Sequence, residues 1–178
     1  LKSIAAVLLL AAAPALAGAA ATLDPEDADV SFLPTPMAVV DGMLDLAQVH
    51  AGDVLYDLGA GDGRIAIEAA KRFGIRAVGI EINPRMVERA RANVRRAGVA
   101  NLVEIRQGDA LKTDIHEATV VTLFLFAELN LELRPKLQAQ LRPGARVVSH
   151  RFAMGDWAPD AQTTVHGNPI YLWKIRAR

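Results

Sequence analysis

The chain has 178 residues, 52% hydrophobic and 22% charged, which is the size and apolar content of one globular domain with a sizeable core. Its Lys+Arg count of 20 matches its Asp+Glu count of 20, so the net positive field that draws a chain onto nucleic acid is missing, and no nucleic-acid partner is expected. The lack of cysteine excludes disulfides, thiolate metal sites, a cysteine nucleophile and a lipidated cysteine anchor.

Taken in chain order, Lys2 precedes an apolar run from Ile4 to Ala13, then Pro14 and small residues, the layout of a secretory signal peptide. Ala15-Leu16-Ala17 offers a cleavage site, so residues 1–17 are expected to direct export to the periplasm or beyond, or to tether the chain to a membrane if left uncut. At about ten residues the run is too short for an ordinary membrane-spanning helix, and no span is expected in the mature chain. Residues 18–31 are acidic or small and lack apolar periodicity, as in a linker, and the domain is expected over 32–178.

Thr35 and Pro36 read as the N-cap and first residue of a helix whose apolar positions are Met37, Val40, Met43, Leu44 and Ala47. Val54-Leu55-Tyr56 is a buried strand that runs into Asp57 and a glycine cluster. Ile65, Ala66, Ala69, Ala70 and Phe73 then form a helical stripe closed by Gly74. Ile75 to Ile80 is a second strand, and Asn83-Pro84 starts a helix with Met86, Val87, Ala90, Val94 and Ala97 inward and Gly98 at its end. Leu102 to Arg106 alternates as a third strand, and Ala118 to Phe124 is a continuous apolar run suited to burial on both faces. Leu129 to Leu141 is helical, with Pro135 as a place where it breaks and restarts. Ala145 to Ser149 is a fifth strand, and Thr163–His166 and Ile170–Ile175 form an antiparallel hairpin across Gly167-Asn168-Pro169. Alternating strands and helices predict an α/β doubly wound, mostly parallel sheet with a C-terminal antiparallel hairpin.

In such a sheet the ligand crevice lies beyond the carboxyl ends of the central strands, where Asp57, Gly59, Ala60, Gly61, Asp62 and Gly63 fall. Three glycines alone also suit a tight strand-to-helix turn with no ligand. Three acids add chemistry. Asp57 can accept a hydrogen bond from an ammonium group, Glu81 ends the second strand at the offset where an acid accepts from ribose hydroxyls, and Asp109, followed by Ala110, can accept from an adenine amine. Together they suit a cationic nucleoside and repel a pyrophosphate, which weakens a nicotinamide-dependent reading, as does Gly59-x-Gly61-x-Gly63 in place of G-x-G-x-x-G.

On these residues the chain resembles the class I S-adenosylmethionine-dependent methyltransferases, with a Rossmann-like fold: Val54–Gly63 is similar to their first motif, Gly79-Ile80-Glu81 to their ribose-binding strand end and Gly108-Asp109 to their adenine motif. Pro34-Thr35-Pro36, Tyr56 to Arg64, Gly79 to Pro84 and Arg151-Phe152 further resemble the protein-lysine methyltransferases of the mitochondrial ATP synthase c-subunit and adenine nucleotide translocase type, with their prokaryotic relatives. The resemblance implies S-adenosyl-L-methionine as cofactor, contacted by Thr35, Asp57, Gly59, Ala60, Gly61, Asp62, Gly63, Glu81, Ile82, Asp109 and Ala110, and a protein lysine as methyl acceptor.

Methyl transfer from a sulfonium needs alignment and exclusion of water rather than a metal or a nucleophilic residue, so no metal is expected. Glu128, Asn130 and His150 are the candidates on the acceptor side, each with a plainer structural reading, Glu128 and Asn130 as caps of the following helix. The sequence Leu123 to Asn130 lacks the Asn/Asp-Pro-Pro-aromatic tetrapeptide of enzymes that methylate adenine or glutamine and departs from the eukaryotic lysine enzymes. A small-molecule acceptor and a non-catalytic exported nucleoside-binding module therefore stand as alternatives. The arginines of the helix after Pro84 are read as a solvated face, because Glu88 interrupts them.

Overall fold

The computed structural model describes residues 33–177, so Phe32, the linker and the leader-like segment lie outside the described residues. In chain order it contains α1 (Met37–Leu46), β1 (Val54–Leu58), α2 (Arg64–Phe73), β2 (Arg76–Glu81), α3 (Pro84–Arg96), β3 (Val103–Gln107), β4 (Val120–Leu123), α4 (Ala127–Gln140), β5 (Arg146–His150), β6 (Ala161–Val165) and β7 (Asn168–Lys174). One sheet carries the order β3-β2-β1-β4-β5-β7-β6. Strands β1 to β5 are parallel, and β7 pairs antiparallel with both β5 and β6. The order reverses at β1, between β2 and β4, which places the switch point at the end of β1.

The strand pleat sorts side chains into two cores. Leu55, Ala77, Val103, Val120, Val148 and Ile170 face α1, α2 and α3. Tyr56, Leu58, Val78, Val121, Val147 and Trp173 face the other way, where Leu133 and Leu137 of α4 meet them. Central strands β1, β2 and β4 are buried on both faces, which is why they read as mostly apolar runs. At the far end of the sheet from the switch point, the Arg146 guanidinium clamps the buried Asp53 carboxylate and donates to the Ala47 and Gln48 carbonyls, tying α1 to β1 and β5.

Four expectations are corrected. Helix α1 is capped at Pro36 with no side-chain hydrogen bond, because the Thr35 hydroxyl is drawn to His150. Helix α4 starts at Ala127 and runs through Pro135 unbroken, held by the burial of Leu133 and Leu137 on either side of it. Neither Glu128 nor Asn130 caps α4. Phe126 occupies the cap position, Glu128 sits in the first turn, where its charge suits the helix dipole, and Asn130 bonds elsewhere. Finally, the hairpin turns at His166-Gly167, both at positive φ (47° and 78°), the signature of a type I′ turn, so Asn168 and Pro169 belong to β7.

Candidate active site

The glycine turn leaves β1 at the switch point and folds back over the end of β2. Gly59 and Ala60 both donate to the Ile80 carbonyl at 2.9 Å, and Gly63, at φ 81°, donates to the Ala60 carbonyl and caps α2. The close approach depends on Gly79: a Cβ there would stand 2.8 Å from both the Ala60 Cβ and the Ile105 Cδ1. Glu81 secures the turn from the β2 side. One carboxylate oxygen accepts from the Gly61 amide and the other from the Asn83 amide, both at 2.8 Å. With its remaining lone pairs, a carboxylate so held can still accept hydrogen bonds from two adjacent hydroxyls.

Asp57 is buried with only 2% of its surface exposed. Its hydrogen bond comes from the neutral Thr122 hydroxyl at 2.7 Å, across the β1–β4 register, and the charges nearest to it, Glu81 and Asp62, are also negative. Burial, reinforced by those two carboxylates and opposed by Thr122, pushes the Asp57 carboxyl up to about 7. A buried acid whose partners among the described residues are a neutral hydroxyl and two carboxylates suits a cationic ligand. The residues present thus fit a nucleoside carrying an ammonium and a sulfonium, and fit a dinucleotide pyrophosphate poorly.

Asp62 points along the turn and takes a two-armed grip from Arg64, at 2.9 and 2.6 Å, which holds its carboxyl below the usual range against the opposing effect of burial. The third arm of Arg64 donates to the Thr35 carbonyl at 2.9 Å, and Asn93 donates to the Asp62 carbonyl. Residues Thr35, Asp57, Gly59, Ala60, Gly61, Asp62, Gly63 and Glu81 are therefore brought together. Ile82 is exposed just past β2, and Asp109 and Ala110 lie beyond β3, where Asp109 accepts from the Leu111 amide and Lys136 of α4 donates to the Ala110 carbonyl.

On the acceptor side, beyond β4 and β5, the candidates separate. Glu128 is exposed on α4. Asn130 is fully buried, its amide nitrogen donating to Ser149 Oγ and the Phe152 carbonyl at 3.2 Å each. His150 is buried with its ring 4.0 Å from that of Phe124 and both nitrogens engaged. A γ-turn follows: Phe152 donates to the His150 carbonyl around Arg151 at φ 72°, a strained geometry for a residue with a side chain. Phe126 is 65% exposed and its ring centroid lies 6.1 Å from that of Phe152. The rim thus presents aromatic surface, with Glu128 and Arg151 exposed beside it.

Sequence reasoning passed over Thr122 and Asn168. Thr122 left a signal, being the polar residue inside the apolar run of β4. Asn168 left none, because its partner His150 lies on another strand.

The profile of the ANTKMT methyltransferase domain matches residues 57–161. A protein of Saccharolobus islandicus named protein-lysine N-methyltransferase is 46% identical over 151 residues, covering 82% of this chain and 94% of that protein. The lysine N-methyltransferase of the ATP synthase c-subunit from Mus musculus is 36% identical over 147 residues, covering 83% of this chain and 59% of its own length. Among solved structures, one described as an RNA methyltransferase from Salinibacter ruber in complex with S-adenosyl-L-homocysteine is 57% identical with a TM-score of 0.81, covering 82% of this chain and 95% of that one.

Proposed function

The chain belongs to the ANTKMT methyltransferase family and is an S-adenosylmethionine-dependent methyltransferase, and from that premise we propose that its acceptor is the side-chain amine of a protein lysine. When bound, the cofactor supplies a methyl group on a sulfonium, open to in-line displacement by a neutral amine. The chain's own residues bind and align. Asp57 would receive the positive charge of the donor's amino-acid end, Glu81 would accept from its ribose hydroxyls, and Asp109 would serve its adenine side.

The observation that carries the amine reading is the character of the acceptor rim. A lysine in water titrates near 10.4 and must lose a proton before it can attack. Phe124, Phe126 and Phe152 offer apolar surface at the ends of β4 and β5, and low polarity favours the neutral amine over the ammonium. The names of the Saccharolobus and mouse relatives support the same acceptor.

RNA is the second reading, favoured by the description of the Salinibacter structure. Against it stand the zero net charge and the engagement of α3 arginines within the fold: Arg91 grips the Ile105 carbonyl and Glu88, and Arg96 bonds Asn93. The two readings separate when the protein is incubated with methyl-labelled donor and a cell lysate that is then split into protein, RNA and small-molecule fractions. Label on protein lysine supports the proposal. Label confined to RNA or to small molecules would reassign the acceptor.

A further inference from the structure

Thr35 lies between the glycine turn and the end of β5, fixed at two points. Its carbonyl accepts from Arg64, whose other arms hold Asp62, and its hydroxyl lies 3.4 Å from His150 Nδ1. The direction of that second bond follows from the partners behind it. Asn168, at the start of β7, donates its amide nitrogen to the Val165 and His166 carbonyls at 3.3 and 3.1 Å, so its oxygen must face His150 Nε2, 3.3 Å away. An amide oxygen only accepts, so Nε2 carries the proton. In a neutral imidazole Nδ1 is then bare, and the single hydrogen of the Thr35 hydroxyl is spent on it.

The ring stays neutral for reasons visible around it. Burial lowers its pKa, the neighbouring Arg151 charge acts the same way, and the Asn168 bond opposes them. Phe124 covers one face. The other ionisable groups along the chain of contacts are the Arg64–Asp62 pair beyond Thr35 and His166 in the β6–β7 turn.

We propose that His150 and Asn168 are positioning residues that hold the Thr35 hydroxyl as a pure hydrogen-bond acceptor, presented to an amine N–H at the methyl-transfer site. Both reactants of the proposed reaction carry such a group, the methyl donor in its amino-acid end and the acceptor in its lysine amine. The inference rests on the methyltransferase reading and adds to it a long-range device: the C-terminal hairpin, through Asn168 and His150, sets the polarity of a hydroxyl on the segment before α1.

The test is a double-mutant cycle on Thr35→Val and His150→Phe, read by calorimetric titration with S-adenosylhomocysteine, by KM for a lysine acceptor and by thermal unfolding. Each single change is expected either to weaken S-adenosylhomocysteine binding or to raise the acceptor KM by about fivefold, the effect of one hydrogen bond, and the double variant to be no worse than Thr35→Val alone. Thr35→Ser, which restores the hydroxyl, should recover most of the loss. A loss in S-adenosylhomocysteine affinity assigns the N–H to the donor; a rise in acceptor KM with that affinity kept assigns it to the acceptor amine. Should His150→Phe fail to fold, Asn168→Ala takes its place, because it leaves the ring and frees its tautomer. Unchanged binding and KM in the single variants, or losses that multiply in the double variant, would overturn the inference. A wild-type protein that bound no donor would instead overturn the reading beneath it.

Discussion

At the residue scale, Asp57 shows why a site can oppose its own fold. Its carboxyl is raised from 3.8 to about 7 chiefly by burial, so the folded chain holds that proton more tightly than the unfolded one. For an acid shifted upward, stability is undiminished below the unfolded value, falls as pH rises from about 4, and bears the whole penalty above about 7. A shift of roughly three pK units corresponds to about 4 kcal/mol. Asp57→Asn, which keeps the Thr122 contact and removes the charge, is therefore expected to raise Tm at pH 8 and leave it nearly unchanged at pH 4, while weakening S-adenosylhomocysteine binding. Melting curves at the two pH values check the sign, and a variant less stable than wild type at pH 8 would refute it. Glu81 fails differently. Its two backbone bonds persist in Glu81→Gln only in part, and Glu81→Ala removes every acceptor, so roughly tenfold or more in donor affinity is expected to go with it. Titration of the folded variant at wild-type affinity would place the ribose elsewhere.

At the scale of elements, the β6–β7 hairpin offers a clean test of backbone conformation. His166 occupies the first central position of a type I′ turn, where Asn is favoured because it tolerates the left-handed region. His166→Asn should stabilise the domain by about 0.5 kcal/mol and leave donor binding as it was, whereas Gly167→Ala should cost about 1 kcal/mol; the reverse order in chemical denaturation would contradict the turn assignment. The same hairpin marks where the sequence is legible and where it is not. Strands β1, β2 and β4 announce themselves because burial on both faces demands a mostly apolar run, and α3 because Asn83 and Pro84 start it in the expected way. The expected hairpin turn starts one residue late and ends two residues late because Gly-Asn-Pro is locally a stronger turn signal than His-Gly. What decides between them is the ladder: Asn168 and Pro169 pair with Val165 and Thr164 of β6, and the Pro169 carbonyl accepts from the Arg151 amide after β5, a contact no local pattern contains. Pro135 misleads for a related reason: helix propensity argues for a break, and the core contacts of Leu133 and Leu137 outweigh it. In the site, the acids and glycines of β1 and β2 are legible because their chemistry is local. The Thr35 hydroxyl is misread as a cap because His150 is distant in sequence, and Asn130 because its bonds run to β5 and the turn after it.

At the scale of the molecule, the sheet order brings Asp57, Glu81 and the glycine turn to one switch point and leaves an aromatic rim across from them. The Asp53–Arg146 clamp lies at the opposite end, so Arg146→Ala is expected to cost about 3–5 kcal/mol of stability, as breaking a buried ion pair does, without altering donor affinity in the folded fraction. Residues 1–17 are proposed to direct export, which N-terminal sequencing of the protein from fractionated cells tests; a cytoplasmic product that keeps Leu1 would reject it. Above all, this arrangement of acids is built for a cationic nucleoside methyl donor, and the decisive experiment is calorimetric titration of the wild-type protein with S-adenosylmethionine, S-adenosylhomocysteine and NAD. One-site binding of both adenosyl ligands, weakened in Glu81→Ala, is expected together with no response to NAD; tight NAD binding with no response to the adenosyl ligands would refute the assignment.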